Sequence, residues 1–317
     1  MNVPAMVRLP RLIMALSACG MDMAAQQIAD ADYLPPQLKP DYAMSRGPRV
    51  GVDQGHNNFH TAGGRYSPFA SLLRRDGYRL GPFARGISAR TLETTDILVI
   101  ANPLGKANKA ERDWRRPRES AFSDREVLEL ANRVRKGGSL LLIIDHSPFP
   151  GAADKLARAF GVRFSDGFVY EERDYVPPGK FLRSDGSLRS HVVTDGQAPG
   201  ERVDSIATFS GSAFQAEGAA PILVLGPKVV SSTPRDNAGI FDKDTPRISV
   251  ARWLQGAVIV FGGGRVAVFG EAAMFTTQLV GKERSPMGMN HPDPKQNHRL
   301  LLNVMRWLSN GDHGGGT

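Results

Sequence analysis

Apolar residues in this chain fall into two kinds of run, and their alternation sets the expected architecture. Nearly continuous apolar stretches occur at 50–52, 97–101, 140–144 and 266–269. Short runs without polar alternation fit strands of a parallel sheet covered on both faces. Between them the spacing turns helical. Tyr66, Phe69, Ala70 and Leu73 stand at i, i+3, i+4 and i+7, as do Val127, Leu130, Ala131 and Val134, and then Leu301, Val304, Met305 and Leu308. Another helix, with Leu156, Ala159 and Phe160 inward, ends at Gly161. Ser123 and Glu126 form a capping box before the second of these helices, and Lys136-Gly137-Gly138 closes it. Strand and helix alternating at this interval predict right-handed βαβ units on a parallel sheet.

The pattern changes from 162 to about 256, where β-like pieces at 168–170, 222–225 and 248–253 are separated by turn-rich segments. This stretch reads as a β-rich elaboration of one domain spanning 48–309. Residues 20–47 are polar, contain Leu34-Pro35-Pro36 and Lys39-Pro40, and read as a tether; residues 310–317 read as a disordered tail.

With 41% hydrophobic and 23% charged residues the composition is that of a globular protein. A formal charge of +8 favours anionic neighbours and says nothing about fold. Apolar runs fall short of the 18 or more residues of a spanning helix. Cys19 is the single cysteine, so an internal disulfide and a cysteine-based zinc cluster are excluded. Arg8 and Arg11 precede the apolar run 12–16, and Ser17-Ala18-Cys19-Gly20 follows, in the order of a secretory signal. Leu16-Ser17-Ala18-Cys19 also resembles a bacterial lipobox, so the expectation is export to the periplasm or cell envelope and lipidation at Cys19. A plain cleaved signal is the alternative.

Candidate chemistry gathers after the strands. Three loops leave carboxyl ends of the expected sheet, at 53–60, 145–147 and 270–271, and open α/β sheets bind ligands there. They would bring Asp53, His56, Asn57, Asn58, His60, Asp145, His146, Ser147 and Glu271 into one crevice, with His291 beyond. A divalent metal held by the histidines and carboxylates is one reading, although no His-Glu-x-x-His motif is present. Ser147 as nucleophile lacks a Gly-x-Ser-x-Gly elbow, and Pro148 after it has no N–H for an oxyanion hole. A third reading is a binding crevice in which Asp53, Asn57, Asn58 and Glu271 bond sugar hydroxyls, with His60, Asp145 and Ser147 as further ligand-binding residues. The basic segment around Trp114 reads as an exposed loop, and no nucleic-acid module is found.

Several stretches add up to a family pattern: the Asp-x-x-His at 53–56, the strand and turn at 137–147, Gly-Arg-Val-Ala-Val-Phe-Gly-Glu at 264–271 and the helix at 297–308. The chain resembles uncharacterised bacterial proteins of the class I glutamine amidotransferase-like superfamily, in the branch shared with gliding-motility and intraflagellar transport proteins. The resemblance implies an α/β, flavodoxin-like three-layer sandwich with a mostly parallel sheet. Amidotransferases carry a cysteine on the turn that here holds Asp145-His146-Ser147, so glutaminase activity is not expected. The expected function is therefore an exported protein binding a carbohydrate or envelope glycan. The rivals are a hydrolase using His56, His146 and Glu271, metal-dependent or not, and a non-catalytic envelope scaffold.

Overall fold

Strand β4 (Ser139–Ile143) is buried along its whole length, and its alternate residues explain why the apolar runs are continuous. Leu140 and Leu142 join one hydrophobic cluster with residues of α2 (Asp124–Arg135) and α3 (Phe149–Ala159). Leu141 and Ile143 join a second cluster with residues of α1 (Ser67–Arg75) and α4 (Asn297–Ser309). Every second side chain therefore faces a different set of helices. Each such leucine contributes roughly 2 kcal/mol by burial.

The computed structural model describes residues 27–30, 32–36, 39–108, 116–172, 179–234, 241, 243–293 and 295–309. The main sheet is built from β1 (Arg49–Asp53), β2 (Arg79–Phe83), β3 (Ile97–Ala101), β4, β5 (Val162–Phe164), β6 (Phe214–Ala216), β7 (Ala220–Val224), β8 (Leu254–Phe261) and β9 (Gly264–Phe269). Its order is β2-β1-β3-β4-β9-β8-β6-β5, with β7 also paired to β8. The first five strands in this order are mutually parallel. The remainder are antiparallel to their neighbours. The order reverses between β1 and β3, which makes the gap between their carboxyl ends the topological switch point. The capping box at Ser123 and Glu126 forms with both of its bonds.

The segment 162–256 divides its strands. β5, β6 and β7 extend the main sheet, while Phe168–Glu171, Val229–Ser232 and Arg247–Ser249 make a separate three-stranded antiparallel sheet. The strand expected at 248–253 stops at Ser249, because Arg252 adopts φ 64 in the turn that follows. Position 256, near the expected end of the β-rich stretch, lies inside β8, the longest strand among the described residues. The Gly262-Gly263-Gly264 run is the tight connection between β8 and β9. A Cβ on Gly264 would sit 2.0 Å from the Val134 carbonyl oxygen.

Part of the stretch read as a tether is built into the domain. Ile28–Ala29 pairs antiparallel with Thr277–Val280, which pairs in turn with Ser285–Gly288. Asp41 is ion-paired with Arg306, which also lies 2.6 Å from Glu201. No helix among the described residues is long and apolar enough to cross a membrane. Cys19, Trp114 and the tail at 310–317 lie outside the described residues.

Candidate functional site

The loop after β1 is not helical, and its polar residues are consumed in stitching the switch point together. Leu104 donates its N–H to the His56 carbonyl and Phe59 donates to Asn102, both at 2.9 Å, so the loops after β1 and β3 are cross-bonded. Asn57 donates its amide to the Leu104 carbonyl at 3.2 Å, and Asn58 donates to Ala101 at 3.4 Å. Asn57 and Asn102 hold φ of 48 and 51, a left-handed conformation that asparagine tolerates better than most residues.

His56 sits between two carboxylates. Its Nδ1 is 2.8 and 3.0 Å from the Asp53 oxygens and its Nε2 is 3.2 Å from Glu126 Oε1. An imidazole facing an acceptor at each nitrogen donates at both, which is its cationic form. Burial works against that charge, but the bonds and attraction of Asp53 and Glu126 outweigh it and raise the His56 pKa. Glu126 also accepts from the Ser123 N–H and hydroxyl and from the Ile87 N–H. Burial opposes its ionisation, yet the Ser123 and His56 bonds bring its pKa down to about 2. Phe122 closes the arrangement, its ring centroid 4.4 Å from that of His56.

A second polar group lies under the ends of β3, β4 and β9. Asn102 connects it, placing its amide nitrogen 3.1 Å from His60 Nδ1 and accepting the Asp145 N–H at 2.8 Å. His60 is fully enclosed beside Tyr66, and burial first, then the charges of Arg65 and His146, brings its pKa down to about 3. Glu271 is buried and accepts the N–H groups of Ala273 and Met274 at 2.7 Å each. Those donors favour its anion, but burial and the neighbouring Asp145 carboxylate dominate and push its pKa well up. The Asp145 carboxylate accepts from the N–H groups of His146 and Ala272. His146 is half-buried and directs Nδ1 at the Ser147 carbonyl at 2.8 Å.

Ser147 belongs to a third group. Its hydroxyl is fully buried and accepts from Arg118 at 2.9 Å, and Arg118 and Arg116 flank Asp166. The expected site residues thus fall into three bonded groups, the second of them tied through Asn102 to the loops after β1 and β4. Of the site residues, Asn57 alone is exposed and His146 half-buried. His291 packs against Phe209, whose backbone N–H bonds Glu271. Among the described residues no group of three or more His, Cys, Asp or Glu side chains is arranged to hold a metal ion. Val192, Gly196, Gln197, Asn303, Arg306 and Trp307, none of them a site residue, border a shallow surface depression.

Sequence reasoning missed Glu126, Asn102, Tyr66 and Arg118 as partners. The capping box and the Asn-Pro pair after β3 signalled Glu126 and Asn102 as local structure. Nothing in the spacing pointed to their contacts with His56 and His60.

No family model and no curated protein matches the chain. Solved structures do. The mmIFT52 N-terminal domain is 15% identical with a TM-score of 0.54, covering 83% of this chain and 98% of that domain. The cytoplasmic protein STM1381 from Salmonella typhimurium LT2 is 15% identical with a TM-score of 0.48, covering 82% and 98%. A ThuA-like protein from Bacteroides uniformis is 14% identical with a TM-score of 0.45, covering 88% and 98%. At this identity the likeness to the mmIFT52 domain concerns fold alone.

Proposed function

We propose that this chain is a non-catalytic binding domain of the glutamine amidotransferase-like group, exported and lipid-anchored, that takes a polar ligand at the carboxyl ends of its sheet. A flavodoxin-like three-layer sandwich is the matching architecture, supported by the β2-β1-β3-β4-β9 order and by helix pairs assigned to two separate cores. The observation that carries the functional reading is the engagement of the reactive atoms. Both His56 nitrogens face carboxylates, the Ser147 hydroxyl holds Arg118, and Glu271 is bound by backbone N–H groups. A general base or nucleophile needs a free lone pair within reach of substrate. Here those lone pairs and protons organise the loops, and ligand contact falls to the rim at Asn57 and His146. Export and acylation at Cys19 rest on the order of Arg8, Arg11, the apolar run and the small residues before the cysteine.

One observation favours a hydrolase as a second reading. Asp145 and Glu271 are neighbouring buried carboxyls, and burial with the adjacent carboxylate raises the Glu271 pKa, the direction that suits a general acid. Calorimetry of the purified chain against neutral and acidic oligosaccharides, with product analysis of each mixture, separates the readings. Binding without turnover is the expected result. Turnover that disappears in a folded Glu271→Gln variant would establish the hydrolase, and neither binding nor turnover would leave the scaffold.

A further inference from the structure

We propose that the hairpin tip at 281–284, with the apolar row Ile28, Leu279 and Pro286 beside it, is the face on which this domain meets an anionic phospholipid surface. The inference goes beyond ligand binding, and its choice of face rests on the anchoring at Cys19 proposed above. Register builds the row. Ile28 stands opposite Leu279, and Leu279 opposite Pro286, so the three side chains share one face of the small antiparallel sheet. The alternate positions Gln278 and Val280 belong to the other face, and both are buried. The row itself is open: Ile28 is 45% exposed, Pro286 is exposed and Leu279 is half-buried.

Charge and chain direction select the occupant, and both act at the same end of this sheet. Val280 pairs with Ser285, and the turn between them is closed by the Arg284 N–H on the Gly281 carbonyl at 3.1 Å. Lys282, Glu283 and Arg284 are exposed on that turn, a surplus of one positive charge. Among the described residues neither Lys282 nor Arg284 stands in an ion pair. Because Ile28 faces Leu279 and Ala29 faces Gln278, one step back along the register brings Gln27 level with Val280, beside the turn. The chain from Cys19 therefore enters the sheet next to the cationic tip, eight residue positions after the cysteine. An acyl group on Cys19 would bring that end of the sheet to the headgroups, where lysine and arginine are attracted to anionic lipid and apolar side chains enter the acyl boundary. A second copy of the chain is the rival occupant, pairing along the edge of Ile28–Ala29. That edge is two residues long, far short of an ordinary strand.

The test is co-sedimentation of the full chain carrying Cys19→Ser, which cannot be acylated, with vesicles of phosphatidylcholine alone and of an equimolar mixture with phosphatidylglycerol. The mixed vesicles are expected to bind more tightly, and less so as salt is raised. Their affinity is expected to fall about tenfold when Lys282→Gln and Arg284→Gln are combined, and about threefold in Ile28→Ser. The N-terminal apolar run is common to all these proteins, so the differences report the sheet face, and circular dichroism checks that each is folded. Equal binding to the two vesicle types would overturn the proposal, as would affinity unchanged in both variants. A concentration-dependent dimer abolished by Ile28→Ser would overturn it in favour of the second copy. The anchor is read separately, from the intact mass of the parent chain extracted from membranes. An unacylated Cys19 with variant-sensitive vesicle binding would overturn the anchor and support the surface; an acylated Cys19 with variant-insensitive binding would do the reverse.

Discussion

Replacing His56 with alanine removes the cation that keeps Asp53 buried. The Asp53 carboxylate is fully enclosed, and after the change it retains the Gly55 N–H at 3.0 Å as a donor. Removing one partner of a buried charged pair costs about 3–5 kcal/mol, and the surviving backbone donor places His56→Ala toward the lower end. Glu126→Gln is the matched control. That side chain is 21% exposed and keeps its capping geometry, so its loss is about 1 kcal/mol. The comparison is read from urea unfolding of the two variants and the parent. It also has a pH signature. Because the folded His56 pKa is raised above its ordinary 6.5, its stabilisation is fully present below that value and is lost as pH rises through the folded one. The difference between parent and His56→Ala should therefore shrink on the alkaline side. A cost below about 1 kcal/mol, or a difference that grows as pH rises above 6.5, would refute the ionic account of this loop.

Other consequences are checked with simpler measurements. The folded protein keeps His60 neutral down to about pH 3, whereas the unfolded chain takes up the proton near 6.5, so stability falls as pH drops between those values. His60→Gln should flatten that part of the acid limb, and equal pH 7 to pH 4.5 shifts in urea midpoint for both proteins would contradict it. A fluorophosphonate probe should leave Ser147 unmodified, because its hydroxyl is enclosed and held by Arg118; mass-spectrometric detection of the adduct would reopen the nucleophile reading. Gly264→Ala drives a methyl group into the Val134 and Gly138 carbonyls and should destabilise by about 3 kcal/mol or more, read as loss of soluble protein or a lowered melting temperature.

What was legible in the sequence follows from how local each signal is. The helices at 67–75 and 297–309 and strand β4 declared themselves through periodicity and length, and the Ser123 capping box lies within four residues. That the loops after β1, β4 and β9 leave the same end of the sheet followed from parallel topology alone. Burial did not. A histidine on a loop looks the same in sequence whether its nitrogens meet solvent or, as for His56, carboxylates 3 and 70 positions away. The β8–β9 hairpin was hidden for a related reason. Its glycines lacked the alternating flanks that mark a hairpin turn, and what demands Gly264 is the distant backbone at Val134.

The short N-terminal strand has a mechanical consequence. Gln27, one residue before that strand, accepts a hydrogen bond from Arg65 at 2.9 Å, and the Arg65 guanidinium lies 4.5 Å from the Phe59 ring centroid. Only eight residue steps separate Cys19 from Gln27, a maximal reach of about 28 Å. An acyl chain on Cys19, as proposed above, would thus act as a short leash, holding the edge of the domain at Gln27 and Arg65 near the bilayer surface. Ligands would then be sampled from the layer next to the membrane, and lengthening the leash by insertion before Gln27 would widen that layer without touching the fold.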